Sequence, residues 1–597
     1  MYTQVERAFR LDTELGGESA LLESFEGTEA ISTPFHFLVR FLTEKPLQMK
    51  NLLRTEATIT VQKDLAANDT YFHGHFWSVQ QRADSVDGLF AYEAELVPFL
   101  KLLELEVHCR AFHTATVEEI VSSIFADRGL EHYRFDLQSS LPKRDYCVQY
   151  RETDLNFVSR LLEEEGIFYF FQHAPGKHEL VLTDKKAGLP VCPSVSGAQY
   201  HPLNGGIGEA DAVSDLDVQY RLHAGAAASN DYNFETPKVS LSSSLDGSSK
   251  GSLYDYPGRY ATKSDGDRYV RIRLEAEETR SATILGTSNC AGFRSGHLFQ
   301  LRSHPQNELN KQYLLIGIQH TGVNQSYRGS ADSHGASYRN SFRAIPQTLQ
   351  YRPPRVSPRA LVHGTQTAVV TGPASQEIFT DQYGRVKVQF FWNTDSEKSS
   401  CWIRVAQTWA GKNWGSVAIP RVGQEVVVDF LEGDPDRPLI IGCVYNADQM
   451  PPYTLPANKT RSGVRSHSSE GGATSNCNEL YFEDLKGQEL LFLQAELDYQ
   501  LKVKHDRKEE IGNDDALQIG HNRSTSVAVN DSMSVGSDRS ADIGKNDSVT
   551  VGAKFSVVAG EEIQFSAPGG SITIGADGIT IQSPMTVVIQ GAMVQIN

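Results

Sequence analysis

Apolar residues follow a short clock near the end of the chain. Glycine stands at Gly512, Gly520, Gly536, Gly544, Gly552 and Gly560, eight residues apart, and Ala528 holds the slot that glycine misses. The residue before each is apolar: Ile511, Ile519, Val527, Val535, Ile543, Val551 and Ala559. Leu517, Met533, Val549 and Val557 add a second apolar position two residues earlier, with Asn, Asp and Ser between units. A spacing of two puts both apolar side chains on one face of an extended strand. Each unit therefore reads as a short strand, a glycine suited to positive φ, and a polar turn. A strand of about six residues spans roughly 20 Å, and one chain folded at that scale leaves its apolar face and strand edges open. The pattern predicts several identical chains wound about one axis, and three enclose a dry prism. A single-chain parallel β-helix fits an eight-residue unit poorly. Past Gly560 the period blurs while alternation continues through Ile572, Ile574, Ile579, Ile581, Val587, Ile589, Val594 and Ile596. The chain stops at Asn597 without a polar cap, which leaves the tip to a separate capping protein or to further residues.

The first 350 residues are patterned differently. Alternation at 57–61 and 71–77 predicts strands. Thr116 and Glu119 form a capping box before an apolar stripe of Val117, Ile120, Val121, Ile124 and Phe125, and Gly129 ends that helix. A second helix runs from Thr153 or Asp154 to Gly166, followed by a buried strand at 167–171. The Ser-rich tract 242–249 reads as a loop. Proline-rich breaks at 352–358 and 451–456 read as linkers. Between them, runs ending in Trp392, at 402–405, 416–419, 425–430 and 439–444 predict five strands. Five short strands suit a closed barrel of the oligonucleotide/oligosaccharide-binding (OB) type.

Composition narrows the function. Net charge is −18, with 74 acidic against 56 basic residues, which argues against a nucleic-acid partner. No apolar run is long enough to cross a membrane as a helix, and residues 1–7 lack the apolar core of a cleaved signal. The seven cysteines are scattered without a Cys-x-x-Cys, as expected for thiols of a protein folded in the cytoplasm. There is no Gly-x-Ser-x-Gly, phosphate loop or His-Glu-x-x-His, and no cofactor fingerprint.

Three segments carry a family resemblance. They are Tyr150 to Ile167 (YRETDLNFVSRLLEEEGI), Asp381 to Val388 (DQYGRVKV) with Trp409-Ala410-Gly411 and Pro420 to Val426, and Glu432 to Pro438 (EGDPDRP). In this order they resemble the valine–glycine repeat (VgrG) spikes of bacterial type VI secretion. The resemblance implies a mainly β protein: β-barrel hub domains with a few helices, an OB-fold neck and a C-terminal intertwined trimeric β-helix needle. On that scheme 1–355 is a hub of paired β-barrel subdomains resembling a phage tail hub, and 356–450 is the OB barrel. Residues 451–500 link to and begin the needle, and 501–597 form it. It implies a homotrimer that family members often load with effectors as extra C-terminal domains or bound cargo; the missing catalytic signatures and N-terminal signal core add the expectation of a non-enzyme, assembled in the cytoplasm and exported without a cleaved signal. Its partners would be a tube of haemolysin-coregulated protein at the base, a proline–alanine–alanine–arginine repeat (PAAR) protein at the tip, effector cargo, and a target membrane breached by puncture. The needle residues above are the structural site, with no catalytic residue. An effector enzyme and a glycan-binding adhesin are the rivals; the first needs a catalytic pair or added domain, the second an exposed aromatic groove.

Several groups invite a chemical reading. His73 and His75 share a strand face and begin a metal site that lacks a third ligand; a strand pair is the plainer reading. Glu163-Glu164-Glu165 suggests acid catalysis, although a solvated helix end is plainer. Glu432, Asp434 and Asp436 suggest calcium, yet the flanking prolines favour a structural turn. His467, His505 and His521 lie near or in the needle, where one imidazole from each of three chains could hold an ion. Lys502, Lys504, Asp506 and Lys508 decorate the outside of its first turns or partner across chains.

Overall fold

The structure is a computed structural model describing residues 2–596 apart from 6, 17–18, 63–68, 84–87, 194, 196, 203–210, 248, 328–334 and 394–398. It divides into two compact units, Met1–Tyr499 and Gln500–Asn597.

A twelve-stranded sheet dominates the first unit. Its N-terminal half is ordered Phe9–Thr13, Glu56–Val61, Thr70–Gln81, Phe90–Val97, Thr33–Thr43 and Leu21–Ala30. Leu21–Ala30 then pairs antiparallel with Gln312–Val323, and the sheet continues through Leu298–Arg302, Gly197–Tyr200, Ala212–Tyr220, Ala282–Ser288 and Ser337–Pro346. Ser337–Pro346 also pairs with Gln312–Val323, so the second half closes into a six-stranded barrel. Alternation drives this arrangement: Phe25, Phe37, Val39, Phe41, Phe72 and Phe76 are all buried in one core.

The helices begin where the caps dictate. Val117–Asp127 carries the capping box of Thr116 and Glu119, and its apolar stripe is fully buried. Asp154–Glu165 is capped by Thr153, whose hydroxyl accepts from the Asn156 N–H, and ends at Gly166 with φ of 71°. A further long helix, Lys263–Glu278, was not expected. It buries Val270, Ile272, Leu274 and Ala276, an alternation that mimics a strand. The Ser-rich tract holds a strand, Ser243–Asp246, where a loop was expected.

The five-stranded barrel has its own core of Val370, Val388, Val426, Val428 and Ile440. Its strand order is Lys387–Phe390, Gln366–Thr371, Glu425–Phe430, Pro438–Cys443 and Arg404–Val405, and a bridge between Val386 and Ile403 joins the two ends. Two expectations differ. Residues 416–419 form no strand, and Gln366–Thr371, which the five expected strands omitted, pairs at the centre. Instead, Ala410–Gly411 and Trp414–Gly415 make a small hairpin with Trp409 and Trp414 exposed. Between 461 and 494 the chain forms an antiparallel meander, Arg461–Arg465, Glu479–Glu483 and Leu490–Gln494, where a linker and needle start were expected.

In the second unit, residues 500–562 hold no strand or helix, and Ile563–Ala567, Gly570–Gly575 and Gly578–Gln582 form an antiparallel meander. The first half of the alternation past Gly560 belongs to that meander: Ile572 faces Ile581, and Ile574 lies between Ile563 and Ile579, while Val587, Ile589, Val594 and Ile596 lie in no strand. Asn597 lies outside the described residues.

Candidate functional site: the octad segment

The octads present an unpartnered chain. No backbone–backbone hydrogen bond joins residues within 500–562 among the described residues. Ile511, Ile519, Val527, Val535, Ile543 and Val551 are 44–53 % exposed, a narrow spread that reflects one repeated conformation. Leu517, Met533, Val549 and Val557 are exposed as well. Regularly spaced apolar side chains are costly in water, and other chains that cover them relieve that cost; the open backbone, hydrated in one chain, must then find its partners in those chains. Burying each Val or Ile contributes roughly 1.5–3 kcal/mol.

The octad glycines do not serve as left-handed turns. None of Gly512, Gly520, Gly536, Gly544, Gly552 and Gly560 has a φ in the left-handed region, which corrects the conformational reason expected for them. Ala528 occupies the same slot in keeping with that ordinary backbone. A Cβ at any of these six glycines meets nothing within 4 Å in its own chain.

The other candidates resolve individually. His73 and His75 do lie together, with ring centroids 5.8 Å apart, but His73 is buried against His178. No group of three or more His, Cys, Asp or Glu is arranged to hold a metal among the described residues. His467 packs against the first unit's own Arg421, whose guanidinium donates to its carbonyl at 2.8 Å. His505 and His521 are exposed.

Glu163, Glu164 and Glu165 are buried, not solvated. The proline-rich segment after the hub folds over this helix end, so Glu163 accepts from the Val356 and Ser357 N–H groups. Glu164 pairs with Arg144 at 2.8 Å and Arg359 at 2.7 Å, and Glu165 with Arg144 and Arg268. Burial alone would raise the Glu164 carboxyl, but Arg144, Arg359 and Arg160 outweigh it and bring it to about 2. The 432–438 turn is likewise structural. Asp436 accepts from the Val148 N–H at 2.6 Å, Asp434 pairs with Arg259 at 3.2 Å, and Arg437 pairs with Asp231. All three turn residues tie the barrel to the hub.

Sequence reasoning missed one assembly, a buried cluster around Glu29. His173 and His320 each hold one of its carboxylate oxygens at 3.1 Å. Its members are scattered from residue 29 to residue 338, and only the His73–His75 pair gave a signal.

The comparisons follow the same order along the chain. Residues 28–326 match the phage tail baseplate hub (GPD) family. Residues 368–445 match the type VI secretion system/phage-baseplate injector OB domain, and 462–572 the bacteriophage T4 gp5 C-terminal trimerisation domain. The chain is 40 % identical over 521 residues to the type VI secretion system spike protein VgrG1b of Pseudomonas aeruginosa, covering 86 % of this chain and 70 % of that one. It is 36 % identical over 436 residues to the actin cross-linking toxin VgrG1 of Vibrio cholerae, covering 71 % of this chain and 39 % of that one. Among solved structures, the E. coli c3393 protein, a type VI secretion component with structural similarity to T4 tail proteins gp27 and gp5, superposes with a TM-score of 0.54 at 24 % identity, over 73 % of this chain and 100 % of that one. With hub, OB and trimerisation regions in this sequence order and that identity over most of its length, the chain belongs to the VgrG family of type VI secretion system spike proteins.

Proposed function

We propose that three copies of this chain form the spike at the tip of the type VI secretion tube, which pierces the target membrane and delivers effectors. The observation that carries this reading is the octad segment, whose backbone and apolar face are unpartnered within one chain. Three such segments, each covering its neighbours, make a shaft whose many interchain hydrogen bonds break only together. In that shaft the pre-glycine residues Ile511, Ile519, Val527, Val535, Ile543 and Val551 face inward. The glycines Gly512, Gly520, Gly536, Gly544, Gly552 and Gly560 give a neighbouring backbone room to approach.

Residues 1–355 serve as the hub, 356–450 as the neck, and the chain from 451 onward as the shaft. The hub base seats on a tube of haemolysin-coregulated protein, and a PAAR-repeat protein covers the tip. The role is mechanical: cargo supplies any enzymatic activity, and the buried, ion-paired state of Glu163 to Glu165 suits structure better than acid catalysis. The chain is assembled in the cytoplasm and exported by the contractile machine itself; no described helix is long and apolar enough to cross a membrane.

The test is a Gly536→Val, Gly544→Val double variant in a bacterium whose type VI export depends on this chain. The expected result is at least a tenfold loss of tube protein in the medium at unchanged cellular levels. Wild-type export by the variant overturns the reading. So would release of soluble fragments from peptidoglycan by the purified chain, which favours an enzyme.

A further inference from the structure

The hub core contains a hydrogen-bond network whose proton positions are fixed by its neighbours. A two-stranded hairpin, Phe168–Ala174 and Lys177–Thr183, lies against the large sheet, with His173 and His178 directly opposite each other next to its turn. The His73 N–H donates to His173 Nδ1 at 3.1 Å, so His173 carries its proton on Nε2 and donates to Glu29 at 3.1 Å. The Phe99 N–H donates to His178 Nε2 at 3.2 Å, so His178 carries its proton on Nδ1 and donates to His73 Nδ1 at 2.8 Å. His320 donates from Nε2 to the other Glu29 oxygen and accepts from the Tyr338 hydroxyl at 2.7 Å. Every one of these imidazoles is neutral, and each acceptor nitrogen is already occupied.

We propose that His173 and His178 form an acid-operated latch that holds this hairpin on the hub sheet only while both rings are neutral. A second proton on either ring lands on a nitrogen that faces a donor. At His173 that donor is the His73 backbone N–H and at His178 it is the Phe99 backbone N–H, and neither can turn away. His320 differs, because the Tyr338 hydroxyl can rotate and accept instead. A proton on His320 therefore leaves both of its hydrogen bonds in place, whereas one on either hairpin histidine does not.

The surroundings favour the neutral rings. Phe35, Phe171 and Phe99 pack on His178, with the Phe99 ring stacked at 4.8 Å. Burial lowers the His173, His178 and His320 pKa values, and brings His73 to about 3. For Glu29 burial acts upward, but hydrogen bonds from His173 and His320, with Arg294 nearby, hold it ionised. The other groups facing the network are His75 and Glu56 on neighbouring strands, His132, His297 on the Arg294 loop, and the Cys192 thiol. Glu29 is the one buried anion among them, and Arg294 and the two imidazole donors already satisfy it.

A histidine whose pKa is depressed by folding stabilises the closed state above its free value of about 6.5, and that stability is lost as pH falls below it. Each proton taken up on opening shifts the equilibrium about tenfold per pH unit, so two shift it about 100-fold. Acid surroundings thus loosen the hub and leave the barrel closed.

Hydrogen–deuterium exchange of the full-length protein, corrected for the intrinsic effect of pH, tests this. Peptides covering 70–77, 97–103 and 168–183 should lose protection about 100-fold per pH unit below about pH 6, while barrel strand Glu425–Phe430 stays protected. The variant H173Q/H178Q, with amides that cannot be protonated in this range, should cut that loss to about tenfold or less per pH unit, the share left to His73, and H320Q should retain it in full. Wild-type peptides that stay protected to pH 4.5, a barrel that opens in parallel, or an unchanged loss in H173Q/H178Q would each overturn the latch. If the double variant does not fold, the wild-type profile and H320Q decide.

Discussion

Gly544 and Glu164 mark the extremes of what single residues disclose. The octad positions are legible because each repeats the same local requirement along the chain, so the pattern accumulates. The conformational reason first read for them does not hold, since the glycine φ values are ordinary; in the proposed shaft the missing Cβ matters only against a neighbouring chain, which a sequence does not display. Glu164 reads from its own helix as solvent-facing, yet partners at Arg144 and Arg359 bury it. The same distance problem hid Glu29 and its imidazoles, drawn from strands up to about 290 residues apart. Glu164 also supports a prediction. Held at about 2 against an ordinary 4.5, the ionised carboxylate contributes on the order of 3 kcal/mol above pH 4.5. That stability is lost as pH falls from 4.5 toward 2. Glu164→Gln should therefore lower the hub's calorimetric unfolding temperature at pH 7, and the deficit should shrink toward zero near pH 2.5. A deficit constant between pH 7 and pH 2.5 contradicts the ion-pair assignment.

Elements were legible where their ends carry local chemistry. Thr116 with Glu119, and Thr153 with Gly166, set helix limits that the structure keeps. Lys263–Glu278 escaped because Val270, Ile272, Leu274 and Ala276 alternate like a strand; the helix is wedged among several elements and buries more than one stripe. Residues 416–419 misled in the opposite way: the apolar alternation there follows the exposed Trp409–Trp414 hairpin, and its backbone bonds to Trp409 and to the Gln407 side chain instead of joining a strand. The 432–438 turn, read as structural, joins barrel to hub through Asp436. Burial, reinforced by the Asp434 carboxylate, pushes the Asp436 carboxyl up. A raised pKa favours the folded state at low pH, and that advantage is lost as pH rises past about 4. Asp436→Asn keeps an acceptor for the Val148 N–H without the charge. It should match or exceed wild-type stability at pH 8, by up to about 1–2 kcal/mol, whereas Asp436→Ala should destabilise by a similar amount. Thermal unfolding of both variants checks this, and equal destabilisation by Asn and Ala would contradict it.

At the scale of the molecule, linear order was readable and assembly was inferred from surplus. Proline breaks and strand spacing separate hub from barrel, and the octads announce a rod before any comparison. The first unit has buried cores in sheet and barrel, although its 461–494 meander leaves Val464, Phe482, Leu491 and Leu493 exposed. The second leaves its apolar face open for more than sixty residues. A chain of that kind reaches a stable state by sharing the face with copies of itself, so the central claim is the number of chains in one particle. Light scattering on the purified full-length protein at neutral pH measures it directly. The expected mass is three times the 66.1 kDa of one chain, unchanged on dilution to nanomolar concentration. A particle with the mass of one chain, folded and soluble, would contradict the shaft and the piercing role that depends on it.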